Sequence, residues 1–307
     1  MTEENKGHTM QNRNARIGDI FGTDNGTPSF VLVGCPIDEG VARNNGRPGA
    51  ASAPRLIRDQ LLKMTPPAEG YDRFSDVVCK GRDLGDISPG NMEMMQENLG
   101  NTIQPWLSEQ VPVIILGGGH ETSYGHFLGY QHAGITHGIL NVDAHTDVRP
   151  TKQGSGHSGS PFRQILEYQN SKCHKYYVTG LQPHAVSKSH LEYIKASQGG
   201  SWFKEDTDIS VISGVLDGSL YPLFVTMDMD AVDQAYAPGV SAPCADGVSK
   251  SFWLNAAWTA GRNSSVTSID LVEVNPGFDR DHQTVRLAAL TIWRFLDGLA
   301  QRPGLAK

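Results

Sequence analysis

The sequence predicts an α/β fold in which a mostly parallel sheet is covered by helices on both faces. Three observations carry that expectation. Six short runs rich in β-branched residues are apolar throughout rather than at alternate positions, as strands buried on both faces must be. Helix-compatible stretches lie between them, and strands alternating with helices imply crossover connections and a parallel sheet. Histidines and carboxylates gather where the runs end, and open parallel sheets bind ligands outside the carboxyl ends of their strands.

In chain order, residues 1–29 read as a polar, weakly ordered lead-in. FVLVGCP (Phe30 to Pro36) then reads as the first buried strand, and a loop rich in Gly and Asn, EGVARNNGRPGAASAP, leads into the helical pattern PRLIRDQLLKM. NMEMMQENLGNTIQPWLSEQ and HLEYIKASQ are further helix-compatible stretches. The remaining strands are expected in VPVIILGGG (Val111 to Gly119), ITHGILNVD (Ile135 to Asp143), KYYVTGL (Lys175 to Leu181), YPLFVTMDMD (Tyr221 to Asp230) and VTSIDLVEV (Val266 to Val274). No repeat, low-complexity tract or linker divides the chain, so residues 30–307 are expected to form one domain, near the upper size for a single core.

Composition narrows the function. With 38% hydrophobic and 19% charged residues the chain is an ordinary globule, and its net charge of −7 argues against nucleic acid or an anionic membrane as partner. No apolar run approaches the roughly 20 residues of a membrane span, and MTEENKGHTMQNRN has no apolar core for export, so the expected location is cytoplasmic. Cys35, Cys79, Cys173 and Cys244 form no CxxC pair, and reduced thiols are expected. The partner is expected to be a small molecule, and the sequence leaves the oligomeric state open, a homo-oligomer included. An anionic substrate would need arginines supplied by the site itself.

In NVDAHTDVRP (Asn141 to Pro150), strand-like alternation would put Asp143, His145 and Asp147 on one face. Taken alone, the stretch fits an N-capping Asp and a turn as well as it fits a metal site. Three other strand ends tip the balance: His120 follows VPVIILGGG, Asp228 and Asp230 close YPLFVTMDMD, and Glu273 closes VTSIDLVEV. Two imidazoles and four carboxylates match neither a structural zinc site nor an all-oxygen calcium site, and suit a pair of divalent ions such as Mn²⁺. Two ions about 3.5–4 Å apart activate one water between them and stabilise the charge that develops as it attacks, which points to a hydrolase.

GGGHE, NVDAHTD, MDMDAVD and EVNP, in that order between about Phe30 and Leu299, resemble the four signatures of the ureohydrolase superfamily, which contains arginase, agmatinase and formimidoylglutamase. The resemblance implies a three-layer α/β/α fold and two Mn²⁺ per chain. One ion would take His120, Asp143, Asp147 and Asp228, and the other Asp143, His145, Asp228 and Asp230, with Asp143 and Asp228 bridging. It also implies that Glu273 holds the substrate's planar cation and that Asp147 passes a proton from the attacking water to the leaving amine.

Two departures point within the superfamily. Arginases and agmatinases carry a histidine immediately before a Gly-x-Pro segment; in GHSGSPFRQ, Ser158 holds that place and His157 falls one residue early. DVRP puts Arg149 where arginases carry an asparagine near the substrate carboxylate. With GGGHET, RNNGRPGA and APGVSAP, these features look most like formimidoylglutamase, which cleaves N-formimidoyl-L-glutamate in histidine degradation. Physical chemistry agrees: a carboxylate beside the leaving nitrogen, close to four acids, needs a fixed guanidinium such as Arg149, whereas agmatine's second cation would be repelled by one. Arg47 or Arg163 could meet the distal carboxylate, against the alternative of a surface salt bridge for each. Other ureohydrolase specificities (arginase, agmatinase, guanidino-acid hydrolase) stay in view, as does a metal-binding scaffold without activity. His157 could shuttle protons or cap its loop. His126, His132 and His137 match no ligand position and are expected to be surface or satisfied helix histidines.

Overall fold

The computed structural model describes residues 14–305. Eight strands are present: β1 (Phe30–Cys35), β2 (Gly81–Asp86), β3 (Val113–Gly117), β4 (His137–Val142), β5 (Cys173–Leu181), β6 (Gly200–Phe203), β7 (Leu223–Asp228) and β8 (Val266–Val272). They form one sheet in the order β2-β1-β3-β8-β7-β4-β5-β6, and every pairing is parallel. The six expected strands are the inner six or adjoin them. The two that the sequence did not signal, β2 and β6, are the edges.

Alternation along each strand splits the core in two. Leu32, Ile114, Leu140, Val225 and Ile269 face helices α1 (Ile17–Ile20), α3 (Ala53–Leu62), α4 (Tyr71–Cys79), α9 (Ile209–Asp217), α10 (Lys250–Arg262) and α11 (Gln283–Leu299). Val33, Ile115, Ile139, Val178 and Phe224 face α5 (Met92–Ser108), α6 (Thr122–Ala133), α7 (Pro161–Leu166) and α8 (Lys188–Ala196). The product is the three-layer α/β/α sandwich. Each apolar layer removes enough surface from water to hold its helices against the sheet, at about 25 cal/mol per Å² of apolar area. A short helix, α2 (Glu39–Arg43), stands outside these layers in the loop after β1.

The expected lead-in falls partly outside the described residues, which begin at 14. Within residues 14–29, α1 inserts Ile17 into the core beside α3, and Phe21 packs on Phe30 with ring centroids 5.7 Å apart. This packing crosses the boundary expected at residue 30, because one apolar residue per turn suffices to dock a short helix although the segment is polar on average. Among the described residues no helix is long and apolar enough to cross a membrane.

Candidate metal centre

The four strands at the middle of the sheet, β3, β8, β7 and β4, end side by side, and each delivers polar side chains to the same edge. After β3, the chain turns through Gly118 and Gly119 to His120. A side chain at Gly118 would collide with the backbone of Ile37, so only glycine lets this turn pass under the loop after β1. His120 Nδ1 comes to rest 2.9 Å from Asp228 Oδ2, 3.0 Å from Asp147 Oδ2 and 3.4 Å from Asp143 Oδ2. On the other side of Asp143, His145 Nδ1 lies 3.5 Å from Asp143 Oδ1 and 3.2 Å from Asp230 Oδ2.

Two ligand groups result, one of His120, Asp143, Asp147 and Asp228 and one of Asp143, His145 and Asp230. Asp143 belongs to both, and its two oxygens face opposite groups. Asp228 falls in the first group, while the second ion's expected ligands are Asp143, His145, Asp228 and Asp230. Asp228 Oδ1 is engaged instead by the Asp230 backbone N–H at 2.9 Å, a turn that aims its free oxygen at His120.

The electrostatics call for cations. His120 Nδ1 and Asp230 Oδ1 are buried without a hydrogen-bond partner, which is costly unless another group completes them. Burial, then the charges of Asp230 and Asp143, push the Asp228 carboxyl well above its usual range. Burial opposes charge on His120, yet Asp147 and Asp228 hold its imidazole well above the ordinary value. Four carboxylates meeting at so small a site carry the charge that two divalent ions would neutralise, and the O and N donors suit such ions. The residues fit the pair of ions implied by the resemblance.

Supporting contacts lock this arrangement. Asn141 donates to Asp143 Oδ2 at 2.9 Å, and Tyr176 donates from its hydroxyl to Thr146 O at 2.9 Å, fixing the loop that carries three of the ligands. Phe162 stacks on Tyr176 and meets the His120 ring edge-on at 5.1 Å.

The sequence profile of the arginase family matches residues 28–297. The chain belongs to the arginase family. Relatives of this arginase-family chain include formimidoylglutamases of Citrobacter koseri, 31% identical over 91% of both chains, and of Lysinibacillus sphaericus, 31% identical over 96% of this chain and 92% of the relative. Among solved structures, Trypanosoma cruzi formiminoglutamase with Mn²⁺ superposes with a TM-score of 0.85 at 28% identity, covering 94% of this chain and 99% of that one. Formimidoylglutamase from Bacillus subtilis gives 0.83 at 26% identity, covering 98% and 97%.

The other expected residues of this arginase-family chain are distributed unevenly. Glu273 follows β8 with φ of 65°, a left-handed backbone that is strained for glutamate and is held by a Glu273 N–H···Gly118 O bond of 2.8 Å. Its Oε1 accepts from the His120 backbone N–H at 2.8 Å, and burial raises its carboxyl well above the usual range. Asp147 also has positive φ, 45°. Arg149 is exposed, and among the described residues it pairs with no carboxylate; its Nη1 reaches Asn44 Oδ1 at 3.4 Å. Asn44, absent from the expected site, in turn donates to Ser158 Oγ at 3.2 Å.

Three of the expected residues make contacts outside the ligand groups. Arg163 is engaged at the surface, bonded to Glu167 at 2.9 Å with its guanidinium over the Tyr193 ring. Arg47 donates to the carbonyls of Ser241 and Val240 and covers Phe278, so it ties two loops together. His157 is buried and both ring nitrogens serve its own loop: Nε2 donates to Pro150 O and Nδ1 accepts from Gly159 N–H, which leaves neither nitrogen to move a proton. Of the three histidines expected to match no ligand position, His132 lies beside Glu97 at the surface, whereas His126 and His137 are fully buried, the latter in β4 rather than in a helix.

Proposed function

We propose that this chain is a binuclear manganese hydrolase that cleaves N-formimidoyl-L-glutamate to L-glutamate and formamide in histidine degradation. The observation that carries the reading is the pair of ligand groups sharing Asp143, set at the end of the sheet beside Glu273. The names of the relatives support the same substrate.

In this reading His120, Asp143, Asp147 and Asp228 would hold one Mn²⁺, and Asp143, His145 and Asp230, with Asp228 as the resemblance implies, would hold the other. When bound, the ions supply the Lewis acidity that makes water a nucleophile near neutral pH. The chain's own groups do the rest. Glu273 pairs with the cationic formimidoyl nitrogens and holds the amidine plane across the path of the attacking water. Asp147 accepts a proton from that water and returns it to the glutamate nitrogen as the C–N bond breaks. Arg149, which pairs with no carboxylate among the described residues, forms a two-donor pair with the carboxylate next to that nitrogen. Arg47 remains the candidate for the distal carboxylate, since its present partners are neutral carbonyls; Arg163 would first have to leave Glu167. Four free cysteines fit a reducing, cytoplasmic setting.

The test is a panel of N-formimidoyl-L-glutamate, L-arginine, agmatine and a guanidino acid, each assayed with Mn²⁺. We expect kcat/KM to be highest for formimidoylglutamate. Preference for another member would reassign the specificity, and two bound metals with no turnover of any of the four would favour a scaffold.

A further inference from the structure

Two residues beyond Asp147, Arg149 belongs to a small polar assembly that the loop after β1 completes. Its backbone N–H donates to Gly159 O at 2.9 Å, and its Nη1 donates to Asn44 Oδ1 at 3.4 Å. Asn44 Nδ2 donates in turn to Ser158 Oγ at 3.2 Å. A side chain at Gly159 would press on Asn44 Nδ2 at 3.0 Å and on Arg149 Cδ at 3.1 Å, so both residues lie against the backbone that carries Ser158. The frame is fixed from within the protein. Ser158 N–H donates to Gly40 O at 3.1 Å, and Gly40 N–H donates to the buried Glu121 Oε1 at 2.6 Å.

Counting protons leaves one donor unspent. A guanidinium has donors only, so Asn44 must turn its oxygen to Arg149 and its NH₂ to Ser158. Ser158 Oγ therefore accepts, and its own proton meets no acceptor among the described residues although Ser158 is only 8% exposed. A nearly buried hydroxyl with its proton unused is costly unless an acceptor arrives. Arg149, on the other side of the same amide, also pairs with no carboxylate among the described residues. Both donors suit one carboxylate, whose two oxygens together accept several hydrogen bonds.

We propose that Ser158 is a specificity-determining residue whose hydroxyl donates to the same substrate carboxylate that Arg149 pairs with, the one next to the leaving nitrogen. Asn44 holds the two donors at a fixed spacing, so little side-chain freedom is lost when the carboxylate arrives. The proposal rests on the formimidoylglutamate reading above. Binding of a carboxylate to this assembly can nevertheless be measured without turnover, which separates the two.

The experiment compares Mn²⁺-loaded full-length wild type and Ser158→Ala on N-formimidoyl-L-glutamate and on N-formimidoyl-4-aminobutyrate, which lacks only that carboxylate. The preference for the first substrate, as a ratio of kcat/KM, is expected to fall about 10- to 100-fold in Ser158→Ala, chiefly through KM, as for a lost hydrogen bond to a charged group. Ser158→Cys, a weak donor of similar size, stands in if Ser158→Ala does not fold. Adding Ser158→Ala to Arg149→Ala should lower the remaining preference further. No further fall would mean that Ser158 acts only by way of Asn44 and Arg149, and would overturn the direct contact. An equal loss on both substrates, or lost thermal stability as the only effect, would also overturn the proposal. Calorimetry with L-glutamate and with 4-aminobutyrate supplies the readout without turnover, and Ser158→Ala should weaken L-glutamate by a similar factor. Wild type that hydrolyses neither formimidoyl compound, yet binds L-glutamate in a Ser158-dependent way, would refute the substrate reading and leave the carboxylate site standing. Binding of L-glutamate that is absent, or indifferent to Ser158, would overturn the proposal whatever the turnover.

Discussion

Glu273 keeps a strained backbone because both ends of the residue are tied to the β3 loop: its N–H to Gly118 O and its Oε1 to the His120 N–H. Glu273→Gln should preserve both ties, since an amide oxygen still accepts from His120, and remove only the charge that meets the substrate cation. Breaking a desolvated charged pair on one side costs about 3–5 kcal/mol, so kcat/KM should fall at least about a hundredfold with two Mn²⁺ still bound. Retained activity would make Glu273 structural. Arg149→Ala tests specificity instead of chemistry. It should keep both metals and lose about 1.5–3 kcal/mol of transition-state binding for formimidoylglutamate, while a formamidine fragment without a carboxylate is hydrolysed slowly and equally by both proteins. Arg149→Lys should recover part of the loss, since a point charge lacks the two-donor fork; an equal fall for both substrates would show that Arg149 organises the loop. The ligands were legible because alternation in NVDAHTD and MDMD puts them on one face within a few residues. Asn44 was not, because its contacts with Arg149 and Ser158 join residues more than a hundred positions apart in sequence.

At the level of elements, legibility followed burial. The inner strands were readable as continuous apolar runs because both faces are covered. The edge strand β2, GRDLGD, is half polar, and its Asp83 and Asp86 bind Arg58 at 2.9 and 2.8 Å, a charged rim of the kind that keeps edges from pairing with other chains. α6 gives no amphipathic stripe because eight of its twelve positions are buried, with α5 on one side and the sheet on the other. The crossing of α10 and α11 depends on two glycines that carry no such signal. A side chain at Gly261 would strike the backbone of Phe295, and one at Gly298 would strike that of Trp258. Since backbone cannot rotate away, Gly261→Ala should force the helices apart and destabilise the protein by about 1–3 kcal/mol, the usual toll of overpacking. Both glycines lie in the layer built on α10 and α11, remote from the ligand groups, so the kcat of the folded fraction should be unchanged. A lower midpoint in urea with normal turnover is the expected pair of results, and unaltered stability would mean that the crossing is looser than its geometry.

For the molecule as a whole, buried charge and burial itself pull individual histidines in opposite directions. His120 and His145 sit among carboxylates that favour their charged forms, whereas His137 is sealed in β4 between aromatic rings, 4.5 Å from the ring of Tyr130. Its Nδ1 contacts Ile135 O at 3.1 Å, and its Nε2 is buried with no partner, as befits a neutral ring with its proton on Nδ1. Burial pushes His137 down from 6.5 to about 3. The unfolded chain therefore takes up a proton below about 6.5 that the folded chain refuses until about 3. The stability this neutral ring contributes is fully present above the higher value and drains away as the pH falls. Between pH 7 and pH 5 the loss amounts to roughly 2 kcal/mol for one such group. His137→Phe keeps an aromatic ring against Tyr130 and Phe224 and removes the titration. Unfolding in urea at both pH values, with chelator present so that metal release contributes equally, should show wild type losing about 2 kcal/mol more than the variant on acidification. Equal losses would mean that the fold admits the proton at His137, and that its acid sensitivity originates among the ligand carboxylates instead.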